Sequence, residues 1–235
     1  MADVEALKKK AGIEACQFVK SGMKVGLGTG STVKHTVIEL GRRIADEGLD
    51  IVGVPTSLAT EKLALEVGIP LVDLSEIDGL DIVIDGADEY DPQFQLIKGG
   101  GAALLREKIV AQESSSMVVV ADDRKRVGTL GAFPLPIEVT PFSCSATVRA
   151  LSRLLDCRVN LRMAGDGAVV TDNGNMIADA HTGPKLSNPE KIESEILQIA
   201  GVVQVGLFNN MCDAVVLAGS GGVETIINPN GRLNS

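Results

Sequence analysis

The stretch that decides the fold is MKVGLGTGSTVKHTVIELGRRIADEG, from Met23 to Gly48. A short apolar run enters a glycine-rich turn, and an amphipathic segment follows directly. This order predicts a strand, a turn and a helix capped by Ser31 or Thr32. Apolar strands and amphipathic helices keep alternating up to about residue 123, with further strands at DIVGVPTS, LDIVIDGADE and SMVVVADD. Such alternation is typical of a mostly parallel sheet covered by helices on both faces.

The pattern changes after about Arg126. Strand-like FPLPIEVTP, helical SCSATVRALSRLLD, two strands with a hairpin signal at 172–174, a helix and the strand VVQVGLF follow in the order β-α-β-β-α-β. DAVVLAGSGGVETII then resembles the first half, so we expect the chain to return to the large sheet. The sequence thus predicts an α/β fold: a doubly wound, mostly parallel sheet domain (residues 1–127 plus 208–235) and a smaller ferredoxin-like α+β domain (residues 128–207).

The composition excludes several classes of function. The chain has 235 residues, of which 45% are hydrophobic, and a formal net charge of −9. This acidity argues against binding nucleic acid, where Lys and Arg must neutralise phosphates, and against a polybasic membrane anchor. No stretch approaches the length of about 18 apolar residues of a membrane span, and a secretory signal is not seen. Scattered cysteines without a C-x-x-C pair suggest neither zinc nor disulfides, so we expect a cytoplasmic protein.

The glycine turn GLGTGST lies where backbone N–H groups and a helix dipole favour an anion. A dinucleotide fingerprint would need glycine at Ser31 or Val33, and the Walker lysine is missing. A small phosphate ester is therefore expected rather than NAD or ATP. The alternative is a tight turn with an ordinary serine cap, although the Ser-Thr pair favours phosphate. The candidate phosphate-binding residues are Thr29, Gly30, Ser31 and Thr32.

Acidic side chains follow the apolar run LDIVI. Asp85 and Asp88 come directly after this run, and ligands of open α/β sheets bind beyond the carboxyl ends of the strands. Lys98 precedes three glycines, and Glu107 is expected about two turns into the next helix. This set suits proton transfer next to a carbonyl, because a carboxylate can remove the α proton and a cation can hold the enediolate without a metal or cofactor. The alternatives are a solvated turn for the aspartates and a surface ion pair for Glu107.

Six motifs resemble, in order, those of one family, the type A ribose-5-phosphate isomerases. They are GLGTGST, DGADE, IKGGGAALLREKI, FPLPIEV, VVTDNGN and GVVQVGLF. DGADE followed at this distance by KGGGAALLREK is highly specific, whereas GTGST alone is not. The resemblance covers nearly the whole chain. It implies interconversion of D-ribose 5-phosphate and D-ribulose 5-phosphate in the pentose phosphate pathway, without a metal or cofactor.

The resemblance also implies roles for individual residues. The family's catalytic base falls on Glu107, its acid pair on Asp85 and Asp88, and its active-site lysine on Lys98. Its substrate-binding residues fall on Thr29, Gly30, Ser31, Thr32, Asp85, Gly86, Ala87, Asp88, Lys98, Gly99, Gly100 and Gly101. Further basic contacts fall on Lys125 and on Lys8. Because Lys8 begins a run of three lysines, its assignment could shift by one residue. Both lysines could instead be solvated cations.

Other functions share this type of fold. An effector-binding module of a transcription regulator would need a DNA-binding segment, which the sequence does not show. A coenzyme A transferase would need a glutamate nucleophile and a coenzyme site, and an amino-sugar phosphate deaminase a histidine near the ring oxygen. His35 and His181 lie outside every motif found. A mean hydropathy of +0.20 suggests a buried interface, so we expect a homodimer or homotetramer.

Overall fold

The structure, a computed structural model, describes residues 4–234. The described residues form six α-helices: α1 Val4–Ala15, α2 Val33–Glu47, α3 Leu58–Glu66, α4 Leu104–Gln112, α5 Cys144–Leu155 and α6 Pro189–Leu197. They also form fifteen strands: β1 Lys24–Leu27, β2 Val52–Pro55, β3 Ile82–Gly86, β4 Glu89–Tyr90, β5 Leu96–Ile97, β6 Met117–Asp122, β7 Leu135–Val139, β8 Val159–Leu161, β9 Met163–Ala164, β10 Gly167–Ala168, β11 Met176–Ala180, β12 Val202–Val205, β13 Leu207–Phe208, β14 Ala214–Gly219 and β15 Gly222–Ile227. Across this part of the chain, no helix has the length and apolar character needed to cross a membrane.

The chain divides into two compact units, and the first contains the large sheet. This unit takes the described residues up to Ala87, Arg106–Lys125 and those from Asn210 onward. Its six strands lie in the order β15-β14-β6-β3-β1-β2. Neighbouring strands are parallel except for the antiparallel pair β14 and β15. The predicted mostly parallel sheet is confirmed, as is the return of the C-terminal strands to it.

Packing on both faces explains the apolar character of the central strands. Every residue of β6 is buried, as expected for a strand covered by helices on both sides. Gly26 in β1 allows close packing, because a Cβ there would lie 2.7 Å from Val110 of α4 and 2.8 Å from Val83 of β3. Because β1, β2, β3 and β6 are parallel, their carboxyl ends share one edge of the sheet. Thr29–Thr32, Asp85–Ala87 and Lys125 lie at that edge, at or just after the ends of β1, β3 and β6.

The second unit contains the smaller sheet and takes Asp88–Leu105 and Arg126–Asn209. Its four-stranded antiparallel sheet has the order β12-β7-β11-β8, with α5 and α6 in the connections. This is the β-α-β-β-α-β arrangement that the sequence predicts. The predicted hairpin turn is also present, since Gly174 has a φ of +77° and its N–H donates to the Thr171 carbonyl at 2.9 Å.

One segment differs from the boundaries expected from the sequence. Residues 88–105 were assigned to the large domain, but in the structure they group with the second unit. The reason is strand pairing: β5 pairs with β13, and β4 pairs with β5. The N–H of Lys98 also donates to the Gly206 carbonyl at 2.8 Å. The β5–β13 pairing and the Lys98–Gly206 hydrogen bond join residues about 110 positions apart, which no local sequence pattern reveals.

Candidate active site

The glycine turn of the first unit joins β1 to the start of α2. Gly30 and Ser31 are exposed, and Gly30 has a φ of +136°, a conformation that favours glycine. Thr32 is the residue before the helix, but its side chain makes no capping hydrogen bond. The structure therefore does not contain a helix cap made by the Thr32 hydroxyl. An exposed turn at the N-terminus of a 15-residue helix is suited to an anion.

The Thr29 side chain lies in a cluster of hydroxyl groups from the β2–α3 connection and the first turn of α3. Its Oγ1 is 2.7 Å from the Thr56 hydroxyl, 2.8 Å from that of Ser57 and 3.3 Å from that of Thr60. The Thr60 hydroxyl in turn donates to the Gly28 carbonyl at 2.9 Å. This cluster fixes the first residues of the turn. The sequence reasoning missed it, although the hydroxyl residues of PTSLAT follow a strand that neighbours β1.

Asp85 lies within the end of β3, not after it, and is fully buried. Its Oδ1 accepts the N–H of Thr29 at 3.0 Å and that of Gly86 at 2.7 Å. A Cβ at Gly28 would lie only 2.3 Å from this same oxygen. The structure therefore brings Asp85 against the glycine turn, and a solvated turn is excluded for this residue. The role of Gly28 was not recognised from the sequence, where it was one glycine among several.

Glu107 is buried in the first turn of α4, with 4% of its surface exposed. The expectation of two preceding helical turns was wrong, because Ala102 has a φ of +59° and α4 begins only at Leu104. Lys108 beside it is 2% exposed, so a surface ion pair is also excluded. Burying a carboxylate lowers the stability of the folded protein unless its surroundings stabilise the charge. Buried carboxylates are therefore concentrated at functional sites.

Lys8 is the least exposed lysine of the run Lys8, Lys9 and Lys10. The side chain of Lys8 is 19% exposed, whereas Lys9 and Lys10 are exposed residues. Lys8 lies one helical turn before Gly12, where a Cβ would be 2.9 Å from the Thr32 carbonyl oxygen. The face of α1 that carries Lys8 therefore packs against the start of α2. Its Nζ is 3.8 Å from the Glu5 carboxylate.

Lys125 ends a 3₁₀ turn, Asp123–Lys125, that follows β6 at the edge where the candidate site residues lie. It is half-buried. Close by, the Arg124 guanidinium hydrogen-bonds the buried Asp122 carboxylate at 2.7 and 3.0 Å. This hydrogen bonding lowers the pKa of Asp122 below its ordinary value, with the charge of Lys125 as a minor contribution. Asp122 is thus held as an anion that orders the segment leading to Lys125.

The remaining candidates lie in the second unit, around the loop Lys98–Gly101. Lys98 is 2% exposed, and its Nζ lies 5.3 Å from the centre of the Phe208 ring, within the range of a cation–π contact. The N–H of Gly100 donates to Asp88 Oδ2 at 2.7 Å. Gly100 must be glycine for this approach, because a Cβ there would be 2.5 Å from Asp88 Oδ1. The structure therefore brings Asp88 and the glycine loop together.

The predicted site residues are divided between the two units. The first unit contains Thr29–Thr32, Asp85–Ala87, Glu107, Lys125 and Lys8. The second unit contains Asp88 and Lys98–Gly101. Among residues 4–234, no three His, Cys, Asp or Glu side chains lie together in an arrangement that could hold a metal ion. The chemistry that these residues themselves offer is anion binding, proton transfer by carboxylates and charge stabilisation by lysine.

Comparison with known proteins places this chain in a family. The sequence model described as Ribose 5-phosphate isomerase A (phosphoriboisomerase A) matches residues 52–222. The Ribose-5-phosphate isomerase A of Afipia carboxidovorans is 50% identical over 235 residues, covering 97% of this chain and 99% of that protein. That of Rhodopseudomonas palustris strain TIE-1 is 52% identical over 230 residues, covering 95% and 98%. The chain belongs to the ribose 5-phosphate isomerase A family.

Solved structures agree with this assignment. The ribose 5-phosphate isomerase A of Methanocaldococcus jannaschii superposes with a TM-score of 0.90 at 41% identity, covering 96% of this chain and 100% of that one. A D-ribose-5-phosphate isomerase in complex with phospho-erythronic acid gives a TM-score of 0.91 at 41% identity, covering 95% and 98%. The α/β fold with a second, smaller sheet is therefore the fold of the family.

Proposed function

We propose that this chain interconverts D-ribose 5-phosphate and D-ribulose 5-phosphate through an enediolate. Membership of the ribose 5-phosphate isomerase A family supports the reaction. The observation that carries the proposal is the buried carboxylate of Glu107, in the unit that also holds Asp85 against an exposed, anion-suited turn. The relative solved with phospho-erythronic acid supports the intermediate, because a carboxylate has the planar, two-oxygen, anionic form of an enediolate.

The first steps of the proposed mechanism bind the sugar and open its ring. The phosphate binds at Thr29–Thr32, where α2 supplies its N-terminus, with Lys8 as a further cation. Asp85 assists opening of the furanose ring by moving a proton between ring oxygen and hydroxyl. Asp88 accepts hydrogen bonds from sugar hydroxyls. These roles require carboxylates in fixed positions, and each aspartate accepts at least one backbone N–H.

The central step is a proton transfer between two neighbouring carbons. Glu107 removes the proton from C2 of the open-chain aldose, and the electron pair forms the C1–C2 double bond while O1 takes the negative charge. The cation of Lys98 and the amides of the glycine loop stabilise this enediolate. Protonated Glu107 then returns the proton to C1, and the proton of O2 passes to O1, which leaves a hydroxyl on C1 and makes O2 the ketone oxygen. No electron acceptor and no metal is consumed or required.

We also propose that the chain acts as a homodimer or homotetramer in the cytoplasm, with no nucleic acid or membrane as a partner. The acidic net charge of −9 supports the last two points, because phosphate backbones and anionic lipids repel such a surface. Light scattering of the purified chain tests the oligomeric state, and cell fractionation tests the location.

The test is conversion of ribose 5-phosphate by the purified chain, with Glu107→Gln as the decisive variant. We expect the wild type to form ribulose 5-phosphate, and the variant to lose roughly 100-fold or more in turnover while it still binds substrate. Glu113→Gln is the matched control, since Glu113 follows the same helix but is exposed. Near-normal turnover in Glu107→Gln contradicts its role as base. Binding of the sugar phosphate by the wild type without conversion would instead favour an effector-binding module.

A further inference from the structure

Arg162 of the second unit contacts the glycine loop, although no sequence motif identified it. It lies between β8 and β9, and 17% of its side chain is exposed. Its Nη1 donates to the carbonyl oxygens of Gly99 and Gly100, each at 2.9 Å. A single guanidinium nitrogen thus contacts two successive carbonyls of the loop that contains the proposed enediolate-stabilising amides.

The guanidinium group is itself held in one orientation. Asp179 of β11 accepts Nε at 2.9 Å and Nη2 at 2.6 Å, which is the paired geometry that a carboxylate makes with arginine. The backbone N–H of Arg162 donates to the Ile177 carbonyl at 2.8 Å, so the same strand fixes both main chain and side chain. All three guanidinium nitrogens are engaged, and the donors to the loop are therefore preorganised. A lysine could not reproduce this arrangement, because its ammonium is a single point of charge.

These contacts determine the direction of the loop amides. The Gly99 carbonyl belongs to the peptide unit whose N–H is that of Gly100, and the Gly100 carbonyl to the unit that carries the N–H of Gly101. In a trans peptide the carbonyl and the N–H point in opposite directions. With Arg162 on the carbonyl side, both N–H groups point away from it, and that of Gly100 meets Asp88 Oδ2 at 2.7 Å.

The contacts also affect how strongly those amides donate. A positive charge against a carbonyl oxygen polarises the whole peptide unit and makes its N–H a better donor, because linked hydrogen bonds strengthen one another. The chain from Asp179 through Arg162 and the Gly99–Gly100 peptide to Asp88 is such a linked series. Neither the charge of Arg162 nor its geometry is used elsewhere in the proposed mechanism.

We propose that Arg162, oriented by Asp179, is a positioning residue for the isomerisation. It sets the direction and donor strength of the Gly100 and Gly101 amides and thereby holds Asp88 in place. The inference rests on the proposed function, since it assigns those amides to the enediolate. The competing explanation is a purely structural tie between the loop and β11, which would affect folding but not the chemistry of the folded enzyme.

The experiment compares Arg162→Met and Arg162→Lys with Arg158→Met. Arg158 is an exposed arginine that precedes β8 on the same segment, and it serves as the matched control. We expect Arg162→Met to lower kcat by about 10- to 100-fold with KM changed less than about 3-fold, somewhat below the effect of deleting an oxyanion donor directly. Affinity for phospho-erythronic acid should fall in proportion to kcat/KM. Arg162→Lys should recover part of the loss, and Arg158→Met should match the wild type.

Amide resonances and the folded fraction of each variant separate this inference from a purely structural tie between the loop and β11. Amide resonances of Gly100 and Gly101 in the ligand-free protein should shift upfield in Arg162→Met but not in Arg158→Met, whatever reaction the enzyme catalyses. Unchanged resonances, or wild-type kcat in folded Arg162→Met, overturn the inference. A loss of activity that only tracks the unfolded fraction in both Arg162 variants does so as well. If the wild type itself fails to convert ribose 5-phosphate while the resonances shift, the proposed function fails and the positioning of the loop stands.

Discussion

Replacing Gly28 with alanine tests whether the glycine turn and Asp85 form one rigid unit. An added Cβ would lie 2.3 Å from Asp85 Oδ1 and 2.6 Å from Asp85 Cα. Rotating the carboxylate relieves only the first overlap, because the second involves the backbone of β3. The Gly28 N–H also donates to the Ile84 carbonyl at 3.0 Å, which ties the turn to the same strand. The turn and the strand must therefore separate.

The size of that separation sets the expected effects. Carbon atoms pack at about 3.5 Å, so a 2.6 Å contact requires a displacement of roughly 0.9 Å. Overpacking of this kind costs about 1–3 kcal/mol of unfolding free energy. A displacement near 1 Å between groups that must react costs about 100-fold in rate. We therefore expect Gly28→Ala to remain folded but to lose about 100-fold in kcat.

The assay is initial-rate conversion of ribose 5-phosphate, with urea unfolding of the same samples. Gly221→Ala is the control, because a Cβ there meets no atom within 4 Å. We expect its kcat and its unfolding free energy to match the wild type. The reasoning is refuted if Gly28→Ala keeps wild-type kcat while folded, or if Gly221→Ala shows the same loss.

Three more predictions concern binding, charge stabilisation and thiol reactivity. Changing Ser31 and Thr32 together to alanine should raise KM with little change in kcat, because contacts to a remote phosphate bind ground and transition states alike; steady-state kinetics with an unchanged KM would contradict this. Lys98→Ala should greatly reduce turnover, whereas exhaustive EDTA should leave the wild-type rate intact; metal-dependent turnover, or an active variant, would assign the charge stabilisation to another group. Burial raises the pKa of the Cys16 thiol to about 12, so it stays protonated at pH 8 and should resist iodoacetamide until urea unfolds the protein, while the less buried Cys144 reacts first; early labelling of Cys16 in a peptide map would contradict this.

Hydrophobic patterning and turn residues predicted those parts of the architecture that depend on residues close together in the sequence. Alternating strands and helices predicted the parallel sheet, and the turn residues at 172–174 predicted a hairpin that the structure contains. The exception was the segment 88–105, which pairs with a strand more than 100 residues later. Strand partners at that distance leave no periodicity in the sequence, so hydrophobic patterning could only assign the segment to its nearest neighbours.

In the candidate site, too, residues marked by their neighbours in the sequence were predicted, and residues defined by distant contacts were missed. Asp85, Lys98 and Glu107 were predicted from their place after strands and glycines, and all three are buried polar groups. Arg162 was missed, because its contact with Gly99 joins positions separated by 63 residues. Nothing near Arg162 in the sequence distinguishes it from a surface arginine. Thr56 was missed for a related reason, since strand β2 neighbours β1 only in space.

The position of β14 in the large sheet has a consequence for how the protein is made. This strand follows the whole of the second unit in the chain, yet it lies between β6 and β15, and Ala214, Val215 and Val216 have no exposed surface. Until β14 has been synthesised, β6 has an uncovered edge that could pair with another nascent chain. Asp88–Leu105 and Arg126–Asn209, which form the second unit, emerge before β14, so that unit can fold first. Synthesis of β14 is thus the event that completes the large sheet, and a chain truncated before Ala214 would keep the exposed edge of β6 and aggregate.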